Sequence, residues 1–428
     1  MTAQIAPSAY VEDTADRDFA AAIFDALRAL TSDGEGITRL AYSELESAAL
    51  DLVEAEARQL GFATERDAGA NLIITLEGGD PSLPFLACGS HLDSVPQGGN
   101  FDGAAGVIAG LTVLAHFKRE GFRPQRTIKI YALRGEESAR FGRAYMGSSA
   151  LFGKLSAADL ASVDANGETL AQAMASVGIA MAPIEKGERL LDPAQVFAWL
   201  ELHIEQGPVL VARKLPVGIV TGIRGNIRHA KVECLGEAGH SGAVPRWLRR
   251  DALFAVAELI THLDRHWRTM LERGRDLVIT CGVIGTDPKT HALARIPEKV
   301  QFSFEVRSQS QETLEAFYDL FLSECALISE ERDVEFKLDR RIDSAPAVLD
   351  QGWIKRLEKA AGDLELPCED IPSGAGHDAA VFANVGIPAA MLFVRNEHGS
   401  HNPKEAMTID DFIAGVSVLR TAIKDALE

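Results

Sequence analysis

Side chains able to bind or activate a ligand gather at a few separated places in this chain. The first is CGSHLDSVPQGGNFDGAAG, residues 88–106, which holds His91, Asp93 and Asp102. The others are Glu136-Glu137 at the end of RTIKIYALRGEES, His203 in LELHIEQG, and His401 in HGSHNP. Imidazoles and carboxylates without thiolates suit zinc, manganese, cobalt or nickel. A carboxylate such as Asp102 can bridge two ions, one held also by His91 and the other by a further His and Glu. Two such cations clamp a water and polarise a carbonyl. The adjacent glutamates then divide the work, one binding metal and the other moving the water's proton. Asp93, two residues past His91, is placed to hold the second imidazole nitrogen. Each signal alone is weak, since an HxD, a Glu pair or a lone strand His is commonly structural. Their joint occurrence in Gly-punctuated turns, each after an apolar run, argues for a metal site.

Positioning these groups requires strands that end where they sit. NLIITLEG (71–78), LPFLACGS (83–90), the run at 126–138 and FAWLELHIEQGP (197–208) read as strands. Residues 11–31, 43–60 and 103–118 read as helices, and 152–190 as two more. This alternation predicts an α/β fold with a mixed, mostly parallel sheet and helices on both faces, its chemistry at strand ends. After residue 213 the pattern changes. Two β-runs fill 217–236, a helix 249–269, strands 276–285 and 299–308, and a helix 311–330. We therefore expect residues 1–213 and 331–428 to form a catalytic domain, with 214–330 inserted as a smaller α+β domain.

Bulk properties narrow the partners. The formal net charge of −19 disfavours nucleic acid and anionic membranes. Five widely spaced cysteines form no CxxC pair, which argues against a disulfide framework. The first residues show no basic-then-apolar leader, and no apolar run reaches membrane-spanning length. A cytoplasmic protein acting on a small molecule is the expectation.

Six stretches carry a wider resemblance: GSHLDSVPQGGNFDGAAGVIAGL, RGEESARFGRAYMGSSAL, ELHIEQGPVL, GEAGHSGAVPRWLRRDAL, SGAGHDAAVFANVGIP and HGSHNPKEAM. Together they resemble the aminoacylase/carboxypeptidase-type dinuclear metallohydrolases. The branch they resemble is the amidase one, with N-carbamoyl-L-amino-acid hydrolases, β-ureidopropionase and allantoate amidohydrolase; LHIEQGP and SGAGHDA point there. The resemblance implies two divalent metal ions, zinc first among the candidates, held by His91, Asp102 as the bridge, Glu137, His203 and His401. It implies Glu136 as general base and Gln206 as a substrate-side amide contact. It further implies His240 as donor to the oxyanion of the tetrahedral intermediate, in cis or across a dimer. Arg307 would clamp a substrate carboxylate, and Gly376 and His377 would line the substrate pocket. The inserted domain would make a homodimer interface and act as a lid that brings His240 to the oxyanion on closure. One departure stands out. Family members carry an Asn three residues before the Pro of an IP motif; in THALARIPEKV that position is Ala294. The missing hydrogen bond is absent or supplied by His291 or Arg295, which touches substrate choice more than metal chemistry. The expected activity is hydrolysis of the linear amide or ureido bond of an N-carbamoyl or related N-substituted amino acid. The rivals are an aminoacylase or dipeptidase using the same site, and a non-catalytic dimeric binding protein.

Overall fold

In the computed structural model the described residues are 13–428; residues 1–12, where a leader and the start of the first expected helix would lie, fall outside them. In chain order the principal elements begin with α1 (Thr14–Thr31), α2 (Glu44–Gln59), β1 (Ala63–Arg66) and β2 (Leu72–Leu76). Next come β3 (Phe85–His91), α3 (Ala104–Glu120), β4 (Ile128–Leu133), α4 (Met146–Leu151), β5 (Val196–Ile204) and β6 (Val217–Ile223). The chain continues through β7 (Gly225–Leu235), α5 (Ala252–Glu272), β8 (Val278–Thr280), β9 (Lys299–Ser308), α6 (Gln311–Arg332) and β10 (Glu335–Leu338). It ends with β11 (Ala347–Val348), α7 (Gln351–Asp363), β12 (Cys368–Ser373), α8 (Asp378–Ala383), β13 (Ala389–Val394) and α9 (Ile409–Leu427).

The described residues divide into two compact units, one of residues 13–221 with 348–428 and the other of 222–347. Both junctions fall later than 213/214 and 330/331. Val217–Ile223 pairs into the large sheet, whereas Glu335–Leu338 and Ile342–Ser344 pair with β7 of the small one.

The larger unit is built on a nine-stranded sheet in the order β11-β6-β13-β5-β3-β4-β2-β1, with β12 also paired to β6. The four central strands run parallel; β6 at one flank and β2 at the other run antiparallel to them, and β1 pairs antiparallel with β2. All residues of β3 and β13 are buried. Since successive side chains point to opposite faces, both faces of the sheet are covered by helices. Small residues bring α3 close to that sheet: a Cβ at Gly106 would lie 2.4 Å from the Leu202 carbonyl oxygen and 2.6 Å from Ser90 Cβ. Among the described residues no helix is long and apolar enough to cross a membrane.

The smaller unit has a six-stranded sheet in the order β8-β9-β7-β10, with short strands Ile284–Gly285 and Ile342–Ser344 at β9 and β7. Along β9 half-buried and buried residues alternate, as in a sheet covered on one face. Its core joins Ile227, Val232, Phe302 and Phe304 to Leu259 and Leu263 of α5 and to Phe317 and Phe321 of α6.

Candidate metal centre

The parallel strands β13, β5, β3 and β4 are consecutive neighbours, and the C-terminal end of each carries a charged or imidazole side chain. His91 closes β3, His203 lies near the end of β5, Glu136-Glu137 follow β4, and His401 follows β13. Strand ends of an open parallel sheet are where such folds place ligands.

Asp102, in the loop between β3 and α3, sits among these groups with each oxygen facing a different set. Its Oδ1 lies 3.6 Å from His91 Nε2 and 3.2 Å from His203 Nε2. Its Oδ2 lies 3.5 Å from His401 Nε2, which is itself 2.9 Å from Glu137 Oε1. Two three-residue groups result, His91/Asp102/His203 and Asp102/Glu137/His401, sharing one carboxylate. The donor atoms fit a pair of divalent cations. His91 Nδ1 faces the Asp93 carbonyl oxygen at 3.1 Å and His203 Nδ1 faces that of Ile204 at 2.9 Å. A proton on Nδ1 of each ring satisfies those carbonyls and leaves the Nε2 lone pairs aimed at Asp102. The Gly103 N–H, donating to His203 Nε2 at 3.2 Å, agrees with that tautomer. Glycine is required at 103: its φ is +65°, and a Cβ would lie 2.4 Å from the His91 ring.

Asp93 does more than face His91. Its two oxygens accept the backbone N–H groups of Glu136 at 2.9 Å and Glu137 at 3.0 Å. This fixes the diverging glutamates, so that Glu137 meets His401 while Glu136 Oε2 stands 3.9 Å from His91 Nε2. Burial pushes the Glu136 carboxyl well above the usual range, against the pull of His91 and with the push of Glu137. When both rings are protonated, His203 and His91, with Ser400, hold Asp102 below the usual range despite its burial.

Gln206, with φ +60°, donates its side-chain amide to Asp102 Oδ2 at 2.7 Å. Its buried Oε1 has no hydrogen-bond partner among the described residues. His377 packs edge-on against His203 with ring centroids 4.4 Å apart and bonds Ser373 Oγ at 2.9 Å. It stands at the N-cap of α8 but makes no capping bond with its side chain. Burial and the neighbouring His203 hold it well below the usual histidine range. At Gly376 a Cβ would overlap the Tyr145 hydroxyl, at 1.6 Å.

His240 and Arg307 belong to the smaller unit. His240 is exposed in a two-residue strand paired with Arg295–Ile296, and Arg307 Nη2 donates to Glu305 Oε1 at 3.0 Å. Ala294 lies beside His240: its carbonyl accepts the Ser241 N–H at 2.9 Å. His291 is engaged with Thr286 Oγ1 at 2.6 Å and Arg295 with Glu298 at 3.3 Å.

Other participants lie within the quoted stretches without standing out in them. Ser400 donates to Asp102 Oδ2 and, at 3.1 Å, to Glu405 Oε2. Glu405 Oε1 accepts the N–H groups of Phe101 at 2.8 Å and Asp102 at 3.3 Å. Glu201, inside β5, accepts from Ser90 Oγ of β3 at 2.7 Å and from the Ala379 N–H at the start of α8 at 2.8 Å, joining two strands to a helix. A further group, Asp13, Asp16 and His116, is filled by Arg119 and Arg420 and is an ion-pair network.

Residues 87–425 match the model of peptidase family M20/M25/M40. The chain is 36% identical to the N-carbamoyl-L-amino acid amidohydrolase of Geobacillus stearothermophilus, over 90% of this chain and 92% of that protein. It is 31% identical to the allantoate amidohydrolase of Escherichia coli strain K12, over 94% of this chain and 96% of the relative. The crystal structure of an amidase of the hydantoinase/carbamoylase family from Burkholderia multivorans superposes with a TM-score of 0.86 at 28% identity, covering 97% of this chain and 98% of that one.

Proposed function

Because this chain belongs to peptidase family M20/M25/M40, we propose that it is a metal-dependent amidohydrolase cleaving the linear amide or ureido bond of an N-carbamoyl or related N-substituted amino acid. The relatives named above as carbamoyl-amino-acid and allantoate amidohydrolases support that bond class. The observation that carries the reading is the pair of ligand groups sharing Asp102, with the buried Glu136 beside them.

Two divalent cations, zinc first among the candidates, would be held by His91, Asp102 and His203 and by Asp102, Glu137 and His401; when bound they polarise the carbonyl and acidify a water. Glu136 takes the proton as the water adds to the carbonyl carbon. The same carboxyl returns the proton to the leaving nitrogen as the carbon–nitrogen bond breaks. A carbamoyl substrate then yields carbon dioxide, ammonia and an amino acid. Asp93 keeps Glu136 and Glu137 apart, and Gln206 and His377 line the substrate side. His240 donates to the oxyanion, and Arg307 takes the carboxylate with a planar guanidinium. An exposed apolar cluster in the smaller unit, with Trp247 80% exposed beside Leu248 and Phe254, supports a homodimer formed through that unit. Ala294, next to the His240 strand, favours a second reading in which the substrate is an N-acyl amino acid.

The test is an assay of metal-depleted protein reloaded with zinc, manganese, cobalt or nickel. Ammonia release from N-carbamoyl amino acids supports the first reading, and acyl release from N-acyl ones the second. Glu136→Gln should keep its metal content and lose about 10²–10⁴-fold in kcat; a variant that keeps turnover removes Glu136 from the base role.

A further inference from the structure

The loop from His91 to Asp102 carries two of the proposed ligands, and their spacing depends on how its two ends are held. We infer that Arg39 is a positioning residue for this loop, one buried guanidinium fastening residue 92 at its start and residue 100 near its end. The inference rests on His91 and Asp102 being metal ligands.

Arg39 lies before α2 and is fully buried, at 0% exposure. Its Nε donates to the Leu92 carbonyl oxygen at 2.7 Å. Its Nη1 donates to Asn100 Oδ1 at 3.2 Å and to Thr31 Oγ1 at 3.3 Å. Asn100 is anchored in turn, donating from Nδ2 to the Phe24 carbonyl oxygen at 2.9 Å. The Arg39 backbone clasps the loop a second time: its N–H donates to Ser94 Oγ at 2.9 Å, and the Ser94 N–H donates back to its carbonyl at 2.8 Å. Asp93 is thereby held from both sides, by Leu92 and by Ser94. Asp93 in turn faces His91 and receives the N–H groups of Glu136 and Glu137. A displaced Arg39 would thus move the first imidazole, the bridging carboxylate and the glutamate pair together.

The cost of burying this cation argues that it does more than fill space. No carboxylate among the described residues lies within ion-pair distance of it, and its Nη2 makes no hydrogen bond among them. Asp93, Glu405, Asp102 and Glu46 attract it from further off. A buried guanidinium is expensive, and an apolar residue would pack more cheaply. What an apolar residue or a lysine lacks is the planar fork that reaches Leu92 and Asn100 at once.

The experiment titrates cobalt(II) into metal-depleted full-length protein, wild type against Arg39→Lys, with near-UV circular dichroism reporting that the apo-proteins are folded. The variant should bind cobalt about 10–100-fold more weakly, the range found when a supporting residue behind metal ligands is lost. Its visible absorption spectrum should also shift. A folded Arg39→Lys with wild-type affinity and spectrum overturns the inference, whatever its thermal stability. If Arg39→Lys does not fold, Asn100→Ala removes one fastening and is judged by the same two readings. Wild-type protein that binds no cobalt overturns the metal reading and this inference with it. Failure to cleave a carbamoyl substrate, with cobalt bound, touches only the substrate assignment.

Discussion

His401 differs from the other proposed ligands in its surroundings. Its side chain is 51% exposed and has φ +61°, whereas His91 and His203 are buried at the ends of strands. It enters only the group with Asp102 and Glu137. Removing it leaves the His91/Asp102/His203 group intact, so His401→Ala should bind a single ion in place of a pair, read by metal analysis after dialysis. Because one Lewis-acid cation supplies several kcal/mol of transition-state stabilisation, turnover should fall roughly 100-fold or more. A variant that keeps both ions takes His401 out of the ligand set. The groups that the structure brings around Asp102 were readable because imidazoles are scarce and each follows an apolar run. Ser400 and Glu405 were not, since a serine and a glutamate in a polar loop look like solvated surface. Glu201 left a fainter trace: in LELHIEQ it shares the period-two face of His203, where a charged residue inside a buried strand calls for partners.

The elements that hold the site also store costs that pH can reveal. Asp67, in the turn joining β1 to β2, accepts the N–H groups of Gly69 at 2.8 Å and Asn71 at 2.9 Å. Asn71 Oδ1 in turn accepts the Arg134 N–H at 3.0 Å, one step before Gly135 and the glutamate pair. Burial pushes the Asp67 carboxyl from 3.8 up to about 6. Its folded-state affinity for a proton therefore exceeds its unfolded one, and stability falls as pH rises from about 4 to about 6. Asp67→Asn does not titrate there. Its stability relative to wild type should improve by about 1–2 kcal/mol across that window, less than full burial would give because solvent reaches the half-buried side chain. Urea midpoints of both proteins at pH 4 and pH 6.5 check this; a constant difference between them rejects it. Elements with long apolar or strongly periodic runs, such as β3, α3, β9 and α6, stood out in the sequence because core burial sets their pattern. The stretch 152–190 reads as two helices, yet it holds three short ones, Ala157–Leu160, Leu170–Ser176 and Met181–Glu185. The first is capped at Ala161, and glycines at 178 and 187, both with positive φ, stop the second and third before a periodic face can accumulate. Residues 276–285 likewise break into two short strands that pair with separate parts of β9.

At the scale of the whole molecule, the chain leaves the large sheet and returns to it at neighbouring strands. β6 and β11 are paired, and a Cβ at Gly222 would lie 3.5 Å from the Ala347 carbonyl oxygen. An insertion whose ends meet can be exchanged for a short linker at little closure cost. His91, Asp102, Glu136, Glu137, His203 and His401 lie in the larger unit, and His240 and Arg307 in the smaller one. Replacing residues 224–346 by a short Gly/Ser linker should therefore separate metal binding from turnover. The shortened protein should fold cooperatively and keep its pair of cations. It should release no measurable ammonia from substrates that the full chain cleaves, because the proposed oxyanion donor His240 and carboxylate clamp Arg307 are gone. Size-exclusion chromatography adds a third reading: if the smaller unit forms the dimer interface, the full chain elutes as a dimer and the shortened one as a monomer. Loss of metal from a folded shortened protein would contradict the placement of the whole ligand set in the larger unit, and retained turnover would take His240 and Arg307 out of the reaction.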